Sequence, residues 1–207
     1  MDMDIQAVIT GDIVNSSKLG KQRRKELFDL LGDTLNEIQG REEAVELEFD
    51  IFRGDSFQGV SKDPVPALRI AISIRLNLLA HKAKTSKEQW DARIAIGLGT
   101  ITLPGEDVAT SDGPAFRNSG PGLDEMKQDE RIKVTSTWQE FNKEMKVSLA
   151  LLDGVSSRWT STQASVMLEA MKGKKQIEIA EELGIFQSSV SARLRDANWS
   201  AVEDLIA

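Results

Sequence analysis

The sequence contains no cysteine and a single histidine. Without cysteine the chain can form neither a disulfide nor a thiolate metal site, and it has no cysteine nucleophile. One histidine is too few for a histidine-based zinc site. No apolar run approaches the roughly 20 residues that a membrane-spanning helix needs, and the acidic start MDMDIQ is unlike a signal peptide. We therefore expect a cytoplasmic protein without a membrane partner.

Acidic residues outnumber basic ones. The 207 residues include 26 lysines and arginines against 33 aspartates and glutamates, which gives a formal net charge of -7. Proteins that coat nucleic acid without sequence preference depend on lysine and arginine contacts to phosphates, so the charge excludes this class. The hydrophobic fraction of 40% and the charged fraction of 29% are those of an ordinary globular protein. The length accommodates one large or two small domains.

Hydrophobic periodicity predicts alternating strands and helices in the N-terminal part. Residues 5–10, 46–53, 57–60 and 91–101 have the apolar or alternating patterns of strands. Apolar residues at helical spacing predict one helix after the first strand and another after the third. The order β-α-β-β-α-β, followed by a further helix, predicts an α+β sandwich of the ferredoxin-like type.

The pattern changes near residues 152–157. Beyond them the strand patterns stop, and short helical patterns continue to the last residue. We therefore predict two domains, an α+β domain over residues 1–152 and an all-α domain over residues 153–207.

Residues 160–199 carry the strongest pattern of the C-terminal part. Three short helices are predicted, of which the second ends at Gly184 and the third spans residues 187–197. Ala180 is small enough for the next helix to approach closely, Gly184 permits a sharp turn, and Ile185 fills the angle between the helices. The segment resembles the helix-turn-helix of sigma-factor and response-regulator output domains. This predicts a helix-turn-helix that binds double-stranded DNA.

The third of these helices would enter the major groove with its polar side chains. Because they have no packing role there, we expect them to contact bases, and the neighbouring cations to contact phosphates. The predicted DNA-binding residues are Lys174, Lys175, Gln187, Ser188, Ser189, Ser191, Arg193 and Arg195. From residue 150 onward, six basic residues stand against eight acidic ones, so a single copy should bind weakly. We therefore expect a homodimer on two half-sites; the alternative is a three-helix packing module without a DNA partner.

Two aspartates lie where strands of the N-terminal part end or turn. Asp12 follows the first predicted strand, and Asp55 lies in the turn of the hairpin. These strands are neighbours in a ferredoxin-like sheet, so both carboxylates could converge at one edge. Together with the backbone N–H groups of residues 13–17, they could hold Mg²⁺ and the phosphates of a nucleotide. The alternative is that both aspartates are ordinary turn formers.

Four segments, in this order, resemble the SatD family: VITGDIVNSSKL, FRGDSFQGV, ARIAIGLGTI and DGPAF. More remotely, the N-terminal part is similar to the class III nucleotidyl cyclase core, itself a ferredoxin-like sandwich. This resemblance implies that Asp12 and Asp55 are metal ligands and that Mg²⁺ is the cofactor. The loop after the first strand and the helix that carries catalytic residues in cyclases would then contact a nucleotide or small anionic ligand. The ligand residues so predicted are Asn15, Ser16, Ser17, Arg117 and Asn118.

The chain departs from the cyclase pattern at residues on which catalysis depends. Ile51 stands where a cyclase usually has the lysine that reads the base. The glycines and proline of residues 116–122 are predicted to break the helix on which cyclases carry an asparagine and an arginine. We therefore assign no catalytic residue and expect a transcription regulator whose cyclase-like domain binds a ligand or dimerises. The alternatives are a Mg²⁺-dependent cyclase or phosphotransferase with a DNA-binding tail, and a protein–protein adaptor.

Overall fold

One mixed five-stranded sheet organises the N-terminal part of the protein. The computed structural model describes residues 5–41, 47–52, 54–81, 89–102 and 111–207, with the side chains of residues 47 and 48 excepted. The strands are β1 (Gln6–Ile13), β2 (Leu47–Phe52), β3 (Ser56–Ser61), β4 (Ala92–Gly99) and β5 (Ile132–Thr135). They lie in the order β2-β3-β1-β4-β5. All neighbouring strands are antiparallel except β4 and β5, which are parallel.

Helices connect the strands and make up the C-terminal part. Those in the described ranges are α1 (Lys21–Arg41), α2 (Ala67–Ala80), α3 (Pro114–Asp124), α4 (Gln139–Ser156), α5 (Ser161–Met171), α6 (Gln176–Leu183), α7 (Gln187–Asp196) and α8 (Trp199–Ile206). A single 3₁₀ turn, Ser16–Lys18, lies between β1 and α1. Within the described ranges, none of the helices combines the length and the apolar character that crossing a membrane requires.

The order of elements confirms the predicted α+β fold with its β-α-β-β-α-β succession. α1 connects β1 to β2, β2 and β3 form a hairpin, and α2 leads to β4. β1 lies between β3 and β4, as the split arrangement of this topology requires. The sequence pattern does not predict β5, because its four residues are too short a run to give a period. Residues 46 and 53, at the ends of the predicted second strand, lie outside the described residues.

β1 continues past the Gly11-Asp12 pair at which the sequence predicts its end. Gly11 pairs with Phe57 on β3 and with Ile94 on β4. A Cβ at Gly11 would lie 2.4 Å from the Phe57 ring, so this glycine permits close packing inside a strand rather than a turn. The prediction that Asp12 follows the strand is therefore wrong, since Asp12 is a strand residue with partners on both sides.

The two faces of the sheet are covered by different helices. Ile9 belongs to a buried cluster with Leu27 of α1 and Ile70 of α2. The next residue, Thr10, donates a hydrogen bond to Ser119 of α3. Because successive side chains of a strand point to opposite faces, α1 and α2 cover one face and α3 covers the other.

α2 is buried over most of its surface. One side packs on the sheet, and α5 packs on the side that faces away from the sheet. Its buried residues are Ala67, Ile70, Ala71, Ile72, Ile74, Arg75, Leu76, Leu78 and Leu79. Ala164 and Met167 of α5 belong to the same buried cluster as the residues of the sheet. Its polar residues Arg69, Ser73 and Asn77, spaced four apart, form a less buried stripe along one side of the helix.

α3 runs unbroken through residues 116–122, so the predicted break of this helix is wrong. Pro114 lies in the first turn, where proline is tolerated. Pro121 lies inside the helix and removes one backbone donor. The close contact of α3 with β4 compensates for the donor that Pro121 removes. A Cβ at Gly97 would lie 2.1 Å from the carbonyl oxygen of Ala115, so the helix lies directly on the backbone of the strand. Tertiary packing therefore overrides local propensity here.

A buried arginine on α2 connects distant parts of the chain. The Arg75 side chain is 1% exposed and donates to both carboxylate oxygens of Asp91, at 2.9 and 3.0 Å. It also donates to Ser156 Oγ at 3.1 Å, and Arg131 donates to Asp91 at 3.2 Å. The guanidinium carbon lies 5.9 Å from the centre of the Trp159 ring. Because a buried charge needs such partners, the network fixes α2 against the start of β4 and the end of α4.

α5, α6 and α7 surround a second, smaller buried cluster. It consists of Val166, Ile179, Ala180 and Val190, with Ile185 packed against it. α6 ends at Gly184, whose φ of 62° is the left-handed conformation that glycine favours at a helix end. The bounds of the three helices agree with the sequence pattern.

The predicted domain boundary between residues 152 and 153 falls inside α4. The main buried cluster also includes residues from both sides of this boundary, among them Leu152, Trp159 and Trp199. The division into two domains stays a prediction.

Gly97→Ala tests the close contact between β4 and α3. We expect this change to destabilise the fold by about 1–3 kcal/mol, because the added methyl group would overlap the backbone of α3. The control is Gly120→Ala in α3, where an added Cβ would have no atom within 4 Å. It should stabilise the protein by about 0.5–1 kcal/mol. Urea unfolding measures both, and equal stability of the two variants would contradict the described contact.

Candidate functional site

One end of the sheet carries a paired aspartate and arginine. Asp12 on β1 lies opposite Ser56 on β3 and opposite Arg93 on β4. The Arg93 guanidinium donates from Nε to Asp12 Oδ1 at 3.0 Å and from Nη2 to Oδ2 at 2.5 Å. The hydrogen bond with Asp12 raises the pKa of Arg93 above its ordinary value. This is the bidentate geometry in which arginine and carboxylate bind most strongly.

Asp55 lies at the same end of the sheet but has different partners. Its backbone carbonyl accepts from Ile13 N–H at 2.9 Å, and its Oδ2 accepts from Ser16 Oγ at 2.6 Å. Ser16 is buried, whereas the neighbouring Asn15 and Ser17 are exposed. The structure therefore brings Ser16 and Asp55 together, whereas neither of the two flanking loop residues forms a side-chain hydrogen bond to this carboxylate.

The two aspartates were predicted as ligands of Mg²⁺, which prefers carboxylate oxygens. Both oxygens of Asp12 already accept hydrogen bonds from Arg93, so the charge of this carboxylate is balanced by a cation within the protein. Across the described residues, no three acidic or histidine side chains come together in a way that could hold a metal ion. As arranged, these residues do not fit Mg²⁺, and the metal stays a prediction of the sequence.

A line of polar side chains connects the sheet to α3. Gln58 donates to Thr10 Oγ1 at 2.8 Å, and Thr10 donates to Ser119 Oγ at 3.0 Å. Thr10 and Asp12 lie two residues apart on β1 and so share a face. The face that carries Asp12 is therefore a polar layer between the sheet and α3.

The other predicted ligand residues lie elsewhere on α3. Arg117 is exposed and donates to both oxygens of Asp112, at 3.0 and 2.9 Å. Asn118 donates to the backbone carbonyl of Leu98 at 2.8 Å. Leu98 pairs with Ala7, five residues from Asp12 along β1, which corresponds to roughly 17 Å at the rise of a strand. The five predicted ligand residues therefore do not form one cluster in a single chain.

The exposed surface of α7 is the second candidate site. Gln187, Ser188, Ser191 and Arg195 are exposed, and Ser189 and Arg193 are half-buried. Gln187 Nε2 donates to Gln176 Oε1 at the start of α6, at 3.3 Å. Phe186, the residue before α7, is 81% exposed. The N-terminal end of α7 thus presents amide, hydroxyl and aromatic groups outward.

The basic residues near α7 differ in whether their charge is already paired with an acidic side chain. Lys174 donates to Glu169 at 2.6 Å and also to Glu182, and the hydrogen bond with Glu169 is the main reason why the pKa of Lys174 is raised. Its charge is therefore compensated within the protein. Lys175 is exposed, and Arg195 has a partner 3.3 Å away in Asp196, which is itself exposed.

Three residues at these sites are missing from the sequence prediction. Arg93 is the charged member of an otherwise apolar strand segment, and the antiparallel pairing of β1 with β4 places it beside Asp12. Gln176 and Phe186 begin α6 and precede α7, so each follows from the helix bounds. Their positions relative to Gln187 depend on the turn at Gly184, which sequence spacing alone does not fix.

These features define a mixed α+β protein with a five-stranded sheet and a helical C-terminal part. The chain belongs to the SatD family, whose model matches residues 6–201. A search of curated proteins finds no match.

Solved structures of nucleotide cyclases are similar over part of the chain. The active GGEEF domain of a diguanylate cyclase from Vibrio cholerae is 18% identical, with a TM-score of 0.47, over 66% of this chain and 85% of that chain. The monomeric guanylyl cyclase domain of the RhoGC fusion protein from the aquatic fungus Blastocladiella emersonii is 17% identical, with a TM-score of 0.45, over 60% of this chain and 77% of that chain. These scores are too low to transfer an activity.

A double-mutant cycle tests the pairing at the sheet end. Asp12→Asn and Arg93→Gln, alone and combined, should show a coupling of about 1–2 kcal/mol in unfolding free energy, because the pair is bidentate and partly sheltered. The more exposed pair of Asp112 and Arg117, with side chains 51% and 60% exposed, is the control and should couple by less than about 1 kcal/mol. A coupling at Asp12 and Arg93 no larger than that of the control would show that the carboxylate is not held by this arginine.

Proposed function

We propose that this protein is a transcription regulator that reads double-stranded DNA through a helix-turn-helix formed by α5, α6 and α7. The observation that supports it is the surface of α7, where Gln187, Ser188 and Ser191 are exposed and have no packing role. Amides and hydroxyls in such positions are groups that read base edges in the major groove.

The packing behind this surface is consistent with a reading helix. Val190 is fully buried and Leu194 packs against the same cluster, so the opposite side of α7 is free. Gly184 sets the angle between α6 and α7 through its left-handed conformation. Exposed Phe186 would be suited to contact a thymine methyl group at the start of the helix.

Charge limits the affinity of one copy. Glu178, Glu181 and Glu182 on α6 are exposed, and Lys174 is paired with glutamates inside the protein. Few basic side chains therefore remain to contact phosphates. Such contacts supply most of the non-specific affinity of DNA-binding proteins. For this reason we propose a homodimer that binds two half-sites.

The sheet part of the regulator would serve ligand binding or dimerisation. The sequence implies a nucleotide or another small anionic ligand there. Mg²⁺-dependent nucleotidyl transfer, the alternative from the sequence, gains no support from a site in which Arg93 holds Asp12 by both oxygens.

Gln187→Ala tests the reading role. A selection of genomic fragments by the full-length protein should first yield an enriched sequence. On that sequence we expect the variant to lose about 1–3 kcal/mol of discrimination against mismatched sites, because the amide would no longer pair with a base edge. Gln139→Ala, an exposed glutamine on α4, is the matched control and should bind as the unmodified protein does. Absence of any enriched sequence, or unchanged discrimination in Gln187→Ala, would refute the DNA-binding function.

Arg195→Gln tests a phosphate contact independently of base reading. The variant should weaken binding about equally on all sequences and reduce the slope of log affinity against log salt by about 1. Arg158→Gln, an exposed arginine just after α4, is the control and should leave the slope unchanged. Filter binding over a salt series measures both; the same slope for both variants would place Arg195 outside the DNA contact.

A further inference from the structure

A large cavity lies where the sheet part meets the C-terminal helices. It has a volume of about 550 Å³, which is within the range of small-molecule sites. The connection between β1 and α1 forms one wall, α2 and the start of β4 form another, and the end of α4 closes it together with Trp159. None of the predicted ligand residues except Asn15 lines it.

Two buried polar atoms at this cavity have no hydrogen-bond partner among the described residues. One is Asp153 Oδ1, and the other is Trp90 Nε1; both residues line the cavity. The second oxygen of Asp153 accepts from Arg131 N–H at 3.1 Å. Burial raises the pKa of Asp153 above its ordinary value, in spite of Arg131 and Arg75 nearby. One oxygen of this carboxylate, Oδ1, therefore lacks a hydrogen-bond donor.

The cationic side chains at the cavity differ in whether an acidic side chain already pairs with them. Arg75 and Arg131 both donate to Asp91, so their charges are shared with that carboxylate. Lys18 also lines the cavity, is exposed, and has no ion-pair partner among the described residues. Lys18 is thus an exposed donor at the cavity, while Asp153 Oδ1 and Trp90 Nε1 are an unpartnered acceptor and an unpartnered donor that the surrounding side chains close off from water.

We propose that this cavity binds a small zwitterion of the amino-acid class. The carboxylate of the ligand would accept from Lys18, and its ammonium group would donate to Asp153. A small rotation of the Asp153 and Trp90 side chains would bring their unpartnered atoms into contact with the ligand. The apolar wall formed by Leu19 and Leu79 would receive the ligand's side chain. A ligand that carries only negative charge would meet Asp153 and the exposed Asp129 without a free arginine to balance them.

The position of the cavity connects its occupant to α7. Trp159 lines the cavity, and its Nε1 donates to the carbonyl of Ala197, the residue after α7, at 3.1 Å. Gln89, at the cavity, donates to the backbone carbonyl of Trp159 at 3.3 Å. A ligand that prefers one placement of Trp159 would therefore change the placement of α7. This regulatory role, unlike the binding itself, rests on the proposed DNA-binding function.

Calorimetry with the full-length protein tests the site. The probes are the common L-amino acids one at a time, inorganic phosphate as an anion without a cation, and putrescine as a cation without an anion. We expect at least one amino acid to bind, and Asp153→Asn and Lys18→Gln each to weaken it about tenfold or more. Asp204→Asn, an exposed carboxylate on α8, is the control and should bind normally.

Three results would overturn the proposed site. They are no binding of any amino acid to the folded protein, binding of phosphate or putrescine as tight as that of any amino acid, and full binding by Asp153→Asn. Circular dichroism establishes that each variant is folded. Should Asp153→Asn fail to fold, Lys18→Gln decides the matter, because Lys18 is exposed in a 3₁₀ turn.

The regulatory role is tested on the enriched DNA sequence. Saturating amino acid should change the DNA affinity of the unmodified protein about fivefold or more and leave that of Asp153→Asn unchanged. Amino-acid binding with no change in DNA affinity would overturn the regulatory role alone. A protein that binds amino acid but no DNA would overturn the proposed function and leave the site in place.

Discussion

The buried charge of Arg75 is the constraint on which much of this structure depends. Removing a guanidinium from water is costly unless its nitrogens find partners in good geometry. Asp91 and Ser156 satisfy this need, and the Trp159 ring covers the guanidinium. Since these partners come from the start of β4 and from both sides of the end of α4, the sheet and the C-terminal helices must meet at this point. The proposed ligand cavity is formed at the same meeting point.

Several charged residues that the sequence predicts as site residues are paired in the structure with residues that it does not predict. Asp12 is held by Arg93, and Lys174 is held by Glu169. Pairing of this kind neutralises a group that would otherwise bind a metal or a phosphate. The groups left over are therefore more informative than the groups that match a motif. Asp153 is such a group, with one carboxylate oxygen buried and without a partner.

The order of strands and helices could be predicted from the sequence because periodicity is a local property. The stop at Gly184 was predictable for the same reason, since one residue carries the left-handed conformation. The continuity of α3 through Pro121 was not, because it depends on Gly97 from a different element, which lets the helix lie on the strand. A proline inside a helix is disfavoured locally, and only the tertiary contact offsets that preference.

Side-chain pairing at the candidate sites was harder to predict than the fold. The sequence placed Asp12 and Asp55 at one edge of the sheet, and the backbone bond from Ile13 to Asp55 agrees with this. It could not show that Arg93 lies opposite Asp12, because antiparallel register depends on the whole sheet rather than on spacing within a strand. The cavity could not be predicted from the sequence either, because the residues that line it come from several separate segments of the chain.

The contact between α2 and α5 has a consequence for how this protein can change. α2 packs on the sheet with one side and on Ala164 and Met167 of α5 with the other. A C-terminal part moved onto an unrelated sheet would expose that apolar side of α5 to water, at a cost that grows with the area uncovered. The helical part therefore shares part of its buried core with the sheet part. A change of an outer residue on α7 leaves this packing intact, whereas a change of size at the contact between α2 and α5 has to be matched on both helices.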